Sequence, residues 1–343
     1  MSVLAAGPPI EEPAHPVGRR TGLVADPQRD GRVLGVDVWY PAASSDEPMS
    51  VYELMPGVAF EAATARHEAP VADGTFPLVV FSHGRTGMRF AYSMLCEALA
   101  ARGAVVVSAD HPGDALADWL LGTNVDDETN EVNRVADAHA LLAEVLHGGG
   151  VVSPAIHAAI DHDRVAMAGH SYGAFTALAT AGGDRGVSAH ERVGAAVCFQ
   201  PFTRTMSDDT LAGVDVPVLL VVSEQDEATP ASTDAERPWE TLAGHPVWRL
   251  DLAGAAHQAS SDIGLYAELV EHVPGVPQAV RQYLEDTAAD AIGPGLRPWR
   301  ELLGVQTRAA WAFLQVALEL DPVAGRAAAD QLATEPGITL RRR

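Results

Sequence analysis

The chain reads as an α/β protein built on a mostly parallel sheet with helices on both faces. Two observations carry this reading. Runs such as Phe76-Pro77-Leu78-Val79-Val80-Phe81, Ala104-Val105-Val106-Val107-Ser108 and Val216-Pro217-Val218-Leu219-Leu220-Val221-Val222 are almost continuously apolar, as strands buried on both faces must be. Between such runs lie segments of helical period. Within residues 131–146, Val132, Val135, Leu142 and Val145 recur near one face, the spacing that lays a helix on a sheet. Strands alternating with helices imply parallel pairing through covered crossovers. The 343 residues are enough for one large domain with insertions, and no internal repeat is visible.

Residues 1–15, rich in proline and polar side chains, read as a flexible arm, and residues 16–343 as the single domain. Strands are expected near residues 22–24 and 33–40, then the strand ending at Phe81, a helix over 89–101 and the strand ending at Ser108. The helix over 131–146 leads to a strand over 164–168, a helix from Ala174 and a strand over 193–199. Strands over 216–222 and 246–252 follow, then a closing helix over 311–320 and a frayed tail at 341–343. Two segments exceed this alternation. Residues 112–130 hold Trp119-Leu120-Leu121 beside an acidic run, and residues 258–305 are helix-like and rich in proline and glycine. Excursions at the carboxyl ends of strands build lids and pockets.

The segment Gly169-His170-Ser171-Tyr172-Gly173 lies between an apolar strand and an alanine-rich helix. G-x-S-x-G in that setting reads as a nucleophile elbow, with Ser171 as the nucleophile. A serine needs a base near neutral pH, so an acid and a histidine are expected downstream in that order. The strand over 216–222 runs into Ser223-Glu224-Gln225-Asp226-Glu227, and Asp226 is the expected acid, with Glu224 and Glu227 read as solvated loop charges. The strand over 246–252 runs into Ala253-Gly254-Ala255-Ala256-His257, and His257 is the expected general base. His15, His67, His139, His147 and His170 read as packing or surface residues. Backbone donors for an oxyanion are expected from Tyr172 and from Arg85, in the loop Ser82-His83-Gly84-Arg85-Thr86-Gly87. His83 in that loop, His111 after the strand ending at Ser108, and Trp119 are candidates for substrate contact.

The segments FPLVVFSHGRTG, DRVAMAGHSYG and VPVLLVVSEQDEATP, with His257, together resemble the α/β-hydrolase superfamily. The early DVWYPA strand, the FSHG loop and the GHSYG elbow most resemble platelet-activating-factor acetylhydrolase and dienelactone-hydrolase-like serine esterases, over about residues 20–270. Polyester hydrolases of the cutinase type are neighbours. Dienelactone hydrolases proper carry cysteine where this chain has Ser171, which favours the esterase side. The resemblance implies an α/β-hydrolase fold with a mostly parallel eight-stranded sheet and lid-like insertions at 112–130 and 258–305. It also implies a triad of Ser171, Asp226 and His257, oxyanion amides from Arg85 and Tyr172, and hydrolysis of a carboxylic ester through an acyl-enzyme. Likeness to acetylhydrolases, with the bulky Trp119-Leu120-Leu121, points to short acyl groups. Amide or lactam hydrolysis and acyl transfer would use the same groups, and a non-catalytic binding protein is the alternative from a different class.

A net charge of −23 repels nucleic acids and anionic membrane surfaces as partners, and the partner that the resemblance implies is a small-molecule ester. All 23 basic residues are arginine, so lysine Schiff-base and Ser-Lys chemistries are excluded. Cys96 and Cys198 read as small buried apolar residues rather than a disulfide. No basic segment followed by an apolar stretch opens the chain, giving a cytoplasmic expectation. Neither nucleotide-binding glycine motif occurs, and Asp161-His162-Asp163 reads as a loop or cap, so no cofactor or metal is expected.

Overall fold

The computed structural model describes residues 2–10, 13–55, 58–273 and 276–343. Among them twelve strands form one sheet: β1 (Ser2–Ala5), β2 (Val17–Asp26), β3 (Arg32–Pro41), β4 (Met49–Met55), β5 (Val58–His67), β6 (Phe76–Ser82), β7 (Val105–Ala109), β8 (Ile160–His170), β9 (Val193–Phe199), β10 (Val218–Ser223), β11 (Val247–Leu252) and β12 (Ile338–Arg342). Their spatial order is β1-β5-β2-β3-β7-β6-β8-β9-β10-β11-β12, with β4 paired to β5 off this line. The eight strands from β2 to β11 in this row form the expected central sheet. From β7 to β11 all neighbours are parallel, whereas β3 is antiparallel to both β2 and β7. The sheet is therefore mixed and larger than the eight strands expected.

The four added strands lie outside these eight, β1, β4 and β5 beyond β2 and β12 beyond β11. β12 buries Ile338 and exposes Thr339, Arg341 and Arg342, so it looks polar, yet it pairs antiparallel with β11. The segment 341–343, expected to fray, is held: Arg343 and Val247 exchange backbone hydrogen bonds of 2.9 Å in both directions. Residues 1–15 were expected to form a free arm. Of the described ones, Ser2–Ala5 instead pair parallel with β5, and Arg300 donates to the carbonyls of Ala6 and Pro8 at 2.9 and 3.2 Å. Glu11, Glu12 and Met1 lie outside the described residues.

Successive residues of a strand point to opposite faces, and the two apolar layers divide on that rule. Leu78, Val80, Val105 and Met167 pack on one side with the helices Asp127–Leu146 and Tyr172–Gly182. Val79, Phe81, Val106 and Ala166 pack on the other with Ser93–Arg102 and Trp299–Ala317. The helix expected from residue 131 starts earlier because Asp126 caps it, accepting from Thr129 N at 2.9 Å. Val132 of that helix faces outward, 41% exposed, while Val135, Leu142 and Val145 are buried. After β11 the chain inserts the helices Ile263–Val270 and Gln278–Ala288 before the long helix opens at Trp299, twelve residues ahead of the expected Trp311. Among the described residues no helix is long and apolar enough to cross a membrane.

The insertion after β11 is bolted to the core through Asp262. The helix Ser93–Arg102 lacks a side-chain cap from its own neighbour Tyr92. Asp262 supplies it instead, accepting from Ser93 N and Ser93 Oγ at 2.6 Å each, while its own N–H donates to Ala91 O at 2.8 Å. Burial without a cationic partner pushes the Asp262 carboxyl up to about 7 from 3.8. The folded state then binds more protons than the unfolded chain between those two values, so this group's contribution to stability falls as pH rises through that window and is flat above it. Asp262→Asn keeps an acceptor and removes the titration. Its melting temperature should gain on wild type between about pH 5 and about pH 8; a constant difference across that range in paired thermal melts would refute the raised pKa.

Candidate active site

Because β6, β8, β10 and β11 are parallel, their carboxyl-terminal loops open at one end of the sheet. At that end β8 passes straight into the helix Tyr172–Gly182, with Ser171 between them at φ 55°, ψ −117°. A positive φ at a residue other than glycine is a strained conformation. The flanking glycines have a different task, which is close approach. A Cβ on Gly169 would fall 2.2 Å from Gly173 O, and one on Gly173 would fall 1.8 Å from Ser82 O. The helix therefore starts against the end of β6, and the turn at Ser171 is forced.

The structure brings Ser171, His257 and Asp226 together. His257 Nε2 lies 3.1 Å from Ser171 Oγ, and His257 Nδ1 lies 2.9 Å from Asp226 Oδ2. Asp226 also accepts from Thr229 N at 2.7 Å and Thr229 Oγ1 at 2.8 Å. Burial works to raise its pKa, but the His257 imidazole and the Thr229 donors outweigh this and hold the carboxyl below its usual value. An ionised Asp226 fixes the proton on Nδ1 and leaves Nε2 bare to accept the Ser171 hydroxyl. Glu224 and Glu227 are exposed, and Glu224 is taken up as an acceptor for Gly254 N at 2.9 Å.

The loop after β6 is gripped from behind by Arg134, a fully buried side chain. It donates to His83 O at 2.8 Å and Gly84 O at 3.1 Å and is neutralised by Asp114 at 2.7 Å. The Gly84–Arg85 peptide is trans, and in a trans peptide the N–H opposes the C=O. With Gly84 O turned to Arg134, the Arg85 N–H points the other way. The Tyr172 N–H opens its helix and has no intrahelical carbonyl to meet. Arg85 and Tyr172 both line the cavity above Ser171. The Arg85 guanidinium pairs with Asp127 and sits 5.4 Å from the centre of the Tyr172 ring.

Two of the three residues expected to touch substrate are elsewhere. His83 is fully enclosed, its Nδ1 2.7 Å from Gly84 O and its Nε2 accepting from His111 N at 3.1 Å. His111 Nε2 lies 2.9 Å from Ser82 Oγ and its Nδ1 3.0 Å from Asp137 Oδ2. Neither lines the cavity; burial first, and then the nearby Arg134 charge, lower both pKa values. Their partners on the helix Asp127–Leu146 are distant in sequence, so residue type alone could not reveal the burial. Trp119 does line the cavity, 44% exposed, with its ring 4.8 Å from that of Tyr283.

The cavity has a volume of about 650 Å³. Its walls are mainly apolar, including Met88, Leu116, Phe202, Tyr266 and Leu284. Both insertions contribute, through Leu116, Trp119 and Leu120 from one and Ile263, Tyr266 and Tyr283 from the other. Among the described residues no group of three His, Cys, Asp or Glu side chains is placed to hold a metal ion.

Residues 51–140 match the family of platelet-activating factor acetylhydrolase, isoform II. That stretch contains the loop after β6 but none of Ser171, Asp226 and His257. Among solved structures, a ferulic acid esterase from Streptomyces cinnamoneus shares the fold. It superposes with a TM-score of 0.71 at 24% identity, over 99% of each chain.

The elbow yields a sharp expectation. In Gly173→Ala the new methyl meets backbone, which cannot swing aside as a side chain could, so a loss of about 2–4 kcal/mol in stability is expected. Denaturant unfolding that places the variant within about 0.5 kcal/mol of wild type would mean that the helix and β6 are not in contact at this point.

Proposed function

We propose that this chain, a member of the α/β-hydrolase-fold esterases related to platelet-activating factor acetylhydrolase, hydrolyses a neutral carboxylic ester through an acyl-enzyme on Ser171. The observation that carries the proposal is His257 lying 3.1 Å from Ser171 Oγ and 2.9 Å from Asp226 at the floor of an apolar cavity. His257 Nε2 takes the hydroxyl proton as Ser171 Oγ attacks the ester carbonyl carbon. The carbonyl π pair moves onto oxygen, and the amides of Arg85 and Tyr172 receive that charge. Collapse breaks the ester C–O bond, and the Nε2 proton goes to the departing alcohol. Water then attacks the acyl carbon and gives its proton to Nε2. When the acid leaves, that proton returns to Ser171. Asp226 stays ionised throughout and stabilises the imidazolium.

The cavity narrows the substrate class. Arg85 is the one Asp, Glu or Arg side chain among the described lining residues, and it is already paired with Asp127 and 4.0 Å from Asp114. A charged group would enter without a free counter-ion, which disfavours it. The volume of about 650 Å³ far exceeds an acetyl group. A short acyl group on Ser171, limited by Trp119, thus implies that the alcohol half of the ester is bulky and apolar and fills the rest of the cavity.

Ser171→Ala should lower ester hydrolysis by about four to six orders of magnitude and abolish labelling by a fluorophosphonate. Asp226→Asn should cost about four orders, with Glu224→Gln close to wild type. Ser171→Ala retaining more than about a tenth of activity would place the nucleophile elsewhere. Trp119→Ala removes part of the wall and should raise the octanoate-to-acetate ratio of kcat/KM for p-nitrophenyl esters by about tenfold. A wild-type preference for octanoate over acetate would overturn the short-acyl assignment, and an unchanged ratio in the variant would put Trp119 outside the acyl path.

A further inference from the structure

The residue before the nucleophile carries a connection that the reaction scheme above does not use. Tyr92 Oη accepts from Gly84 N at 3.1 Å and lies 2.8 Å from His170 Nδ1. On the other side of the ring, His170 Nε2 lies 2.8 Å from the backbone carbonyl of His257. The protons in this chain can be placed without ambiguity. A carbonyl only accepts, so Nε2 bears the hydrogen. In the neutral ring Nδ1 is then bare and accepts. The Tyr92 hydroxyl, already an acceptor toward Gly84, donates its own hydrogen to Nδ1. Every link points one way: Gly84 N–H to Tyr92 O–H to His170 to the His257 carbonyl.

We propose that Tyr92 and His170 are positioning residues that tie the oxyanion loop to the loop of the general base, so that the two sides of the reaction centre are set by one hydrogen-bonded strut. The inference rests on the serine-hydrolase reading of Ser171 and His257. Three features support it. The strut is buried, with Tyr92 3% and His170 1% exposed, and it runs along the edge of the cavity that both residues line. The space is matched to it: a Cβ on Gly84 would fall 2.9 Å from His170 Nδ1 and 3.1 Å from Tyr92 Oη, so glycine is required for the strut to close. The strut also complements Arg134. That side chain holds the carbonyls of His83 and Gly84, and Tyr92 holds the intervening Gly84 N–H, so the His83–Gly84 peptide is fixed from both sides and the next peptide, which presents the Arg85 amide, is held through its Gly84 carbonyl.

The charge state agrees with this role. Burial, and after it the neighbouring His257, push His170 down to about 3. The two imidazoles are 4.7 Å apart between ring centres, so a second positive charge there would oppose the imidazolium that forms on His257. A ring with both nitrogens committed takes up no proton and stays out of that balance.

The test compares Tyr92→Phe, His170→Leu, the double variant and His170→Gln, whose amide offers one acceptor and one donor. The readouts are kcat, KM, melting temperature and the rate of fluorophosphonate labelling at Ser171. Tyr92→Phe and His170→Leu are each expected to lower kcat and the labelling rate by about 10- to 100-fold with KM within about twofold. His170→Gln should recover most of the loss, and the double variant should be no slower than the worse single, because both changes cut one chain. Should His170→Leu fail to fold, Tyr92→Phe, which keeps the ring, carries the comparison with wild type. Tyr92→Phe labelling at the wild-type rate would overturn the strut, as would losses that multiply in the double variant or that follow melting temperature across the series. Wild type that fails to label at Ser171 would sink the hydrolase reading and the strut with it.

Discussion

The contact between Gly173 and the end of β6 sets the rest of the site. A missing Cβ at Gly173 allows the helix Tyr172–Gly182 to begin against Ser82 O, and the absent side chain at Gly169 lets β8 pass beneath the same helix. No residue is left to make a relaxed turn, so Ser171 takes the positive φ itself. Strain of this kind costs about 1–3 kcal/mol and persists only where the surroundings over-determine it. Here they do: Ser171 N donates to Phe199 O at 3.0 Å, and Ser171 O accepts from Ala174 N at 2.9 Å and Phe202 N at 3.2 Å. The same contact fixes Ser171 relative to the loop after β6, so Tyr172 and Arg85 cannot drift apart.

A second serine–histidine–aspartate set shows which features of that arrangement matter. Ser82, His111 and Asp137 are linked at 2.9 and 3.0 Å, the same connectivity as Ser171, His257 and Asp226. Yet Ser82 is the last residue of an extended strand, 2% exposed and outside the cavity lining, and its hydroxyl also receives Arg134 Nη1 at 3.3 Å. Its hydrogen bonds satisfy buried polar groups, which would otherwise be expensive to desolvate. Connectivity alone therefore does not mark a nucleophile. Access to a cavity and a backbone that lifts the hydroxyl clear of the sheet are what favour Ser171 as the proposed nucleophile.

How much of this was legible in the sequence follows from how local each signal is. The central strands and the order Ser171, Asp226, His257 could be read because each residue sits just past an apolar run that announces its own strand. β1, β4 and β12 could not, since they lie at the margins of the sheet and are held by backbone pairing that leaves little pattern, and β5, which pairs with β1, β2 and β4, buries mostly small residues such as Ala59, Ala62 and Ala65. The segment 341–343 reads as tail for that reason, three arginines giving no hint of the β11 carbonyls they lie beside. His83 and His111 looked like substrate contacts because they follow strands at the right end of the sheet. Whether such a residue faces the cavity or the layer beneath depends on Arg134 and Asp137, which a helix more than twenty residues away brings in. Tyr92 and His170 were missed on the same ground: each is ordinary in its own segment, and their meaning lies in the contact between segments.

Two buried carboxylates with opposite shifts show how the electrostatics serve the chemistry. Asp262 accepts three N–H or O–H donors and still has its carboxyl pushed up to about 7, because dipoles alone do not offset full burial. Asp226 accepts two donors from Thr229 and is held below its usual value. What separates them is the imidazole 2.9 Å from Asp226, a group able to carry positive charge, where Asp262 has only neutral Ser93 and Met94 donors. Fixed negative charge is stabilised in the same way at Asp137, beside His111 and Arg32, but at Asp226 the partner is the imidazole on which the proposed reaction develops a cation. An anion at Asp226 costs least in the state where His257 is protonated, and that differential stabilisation is what accelerates a reaction.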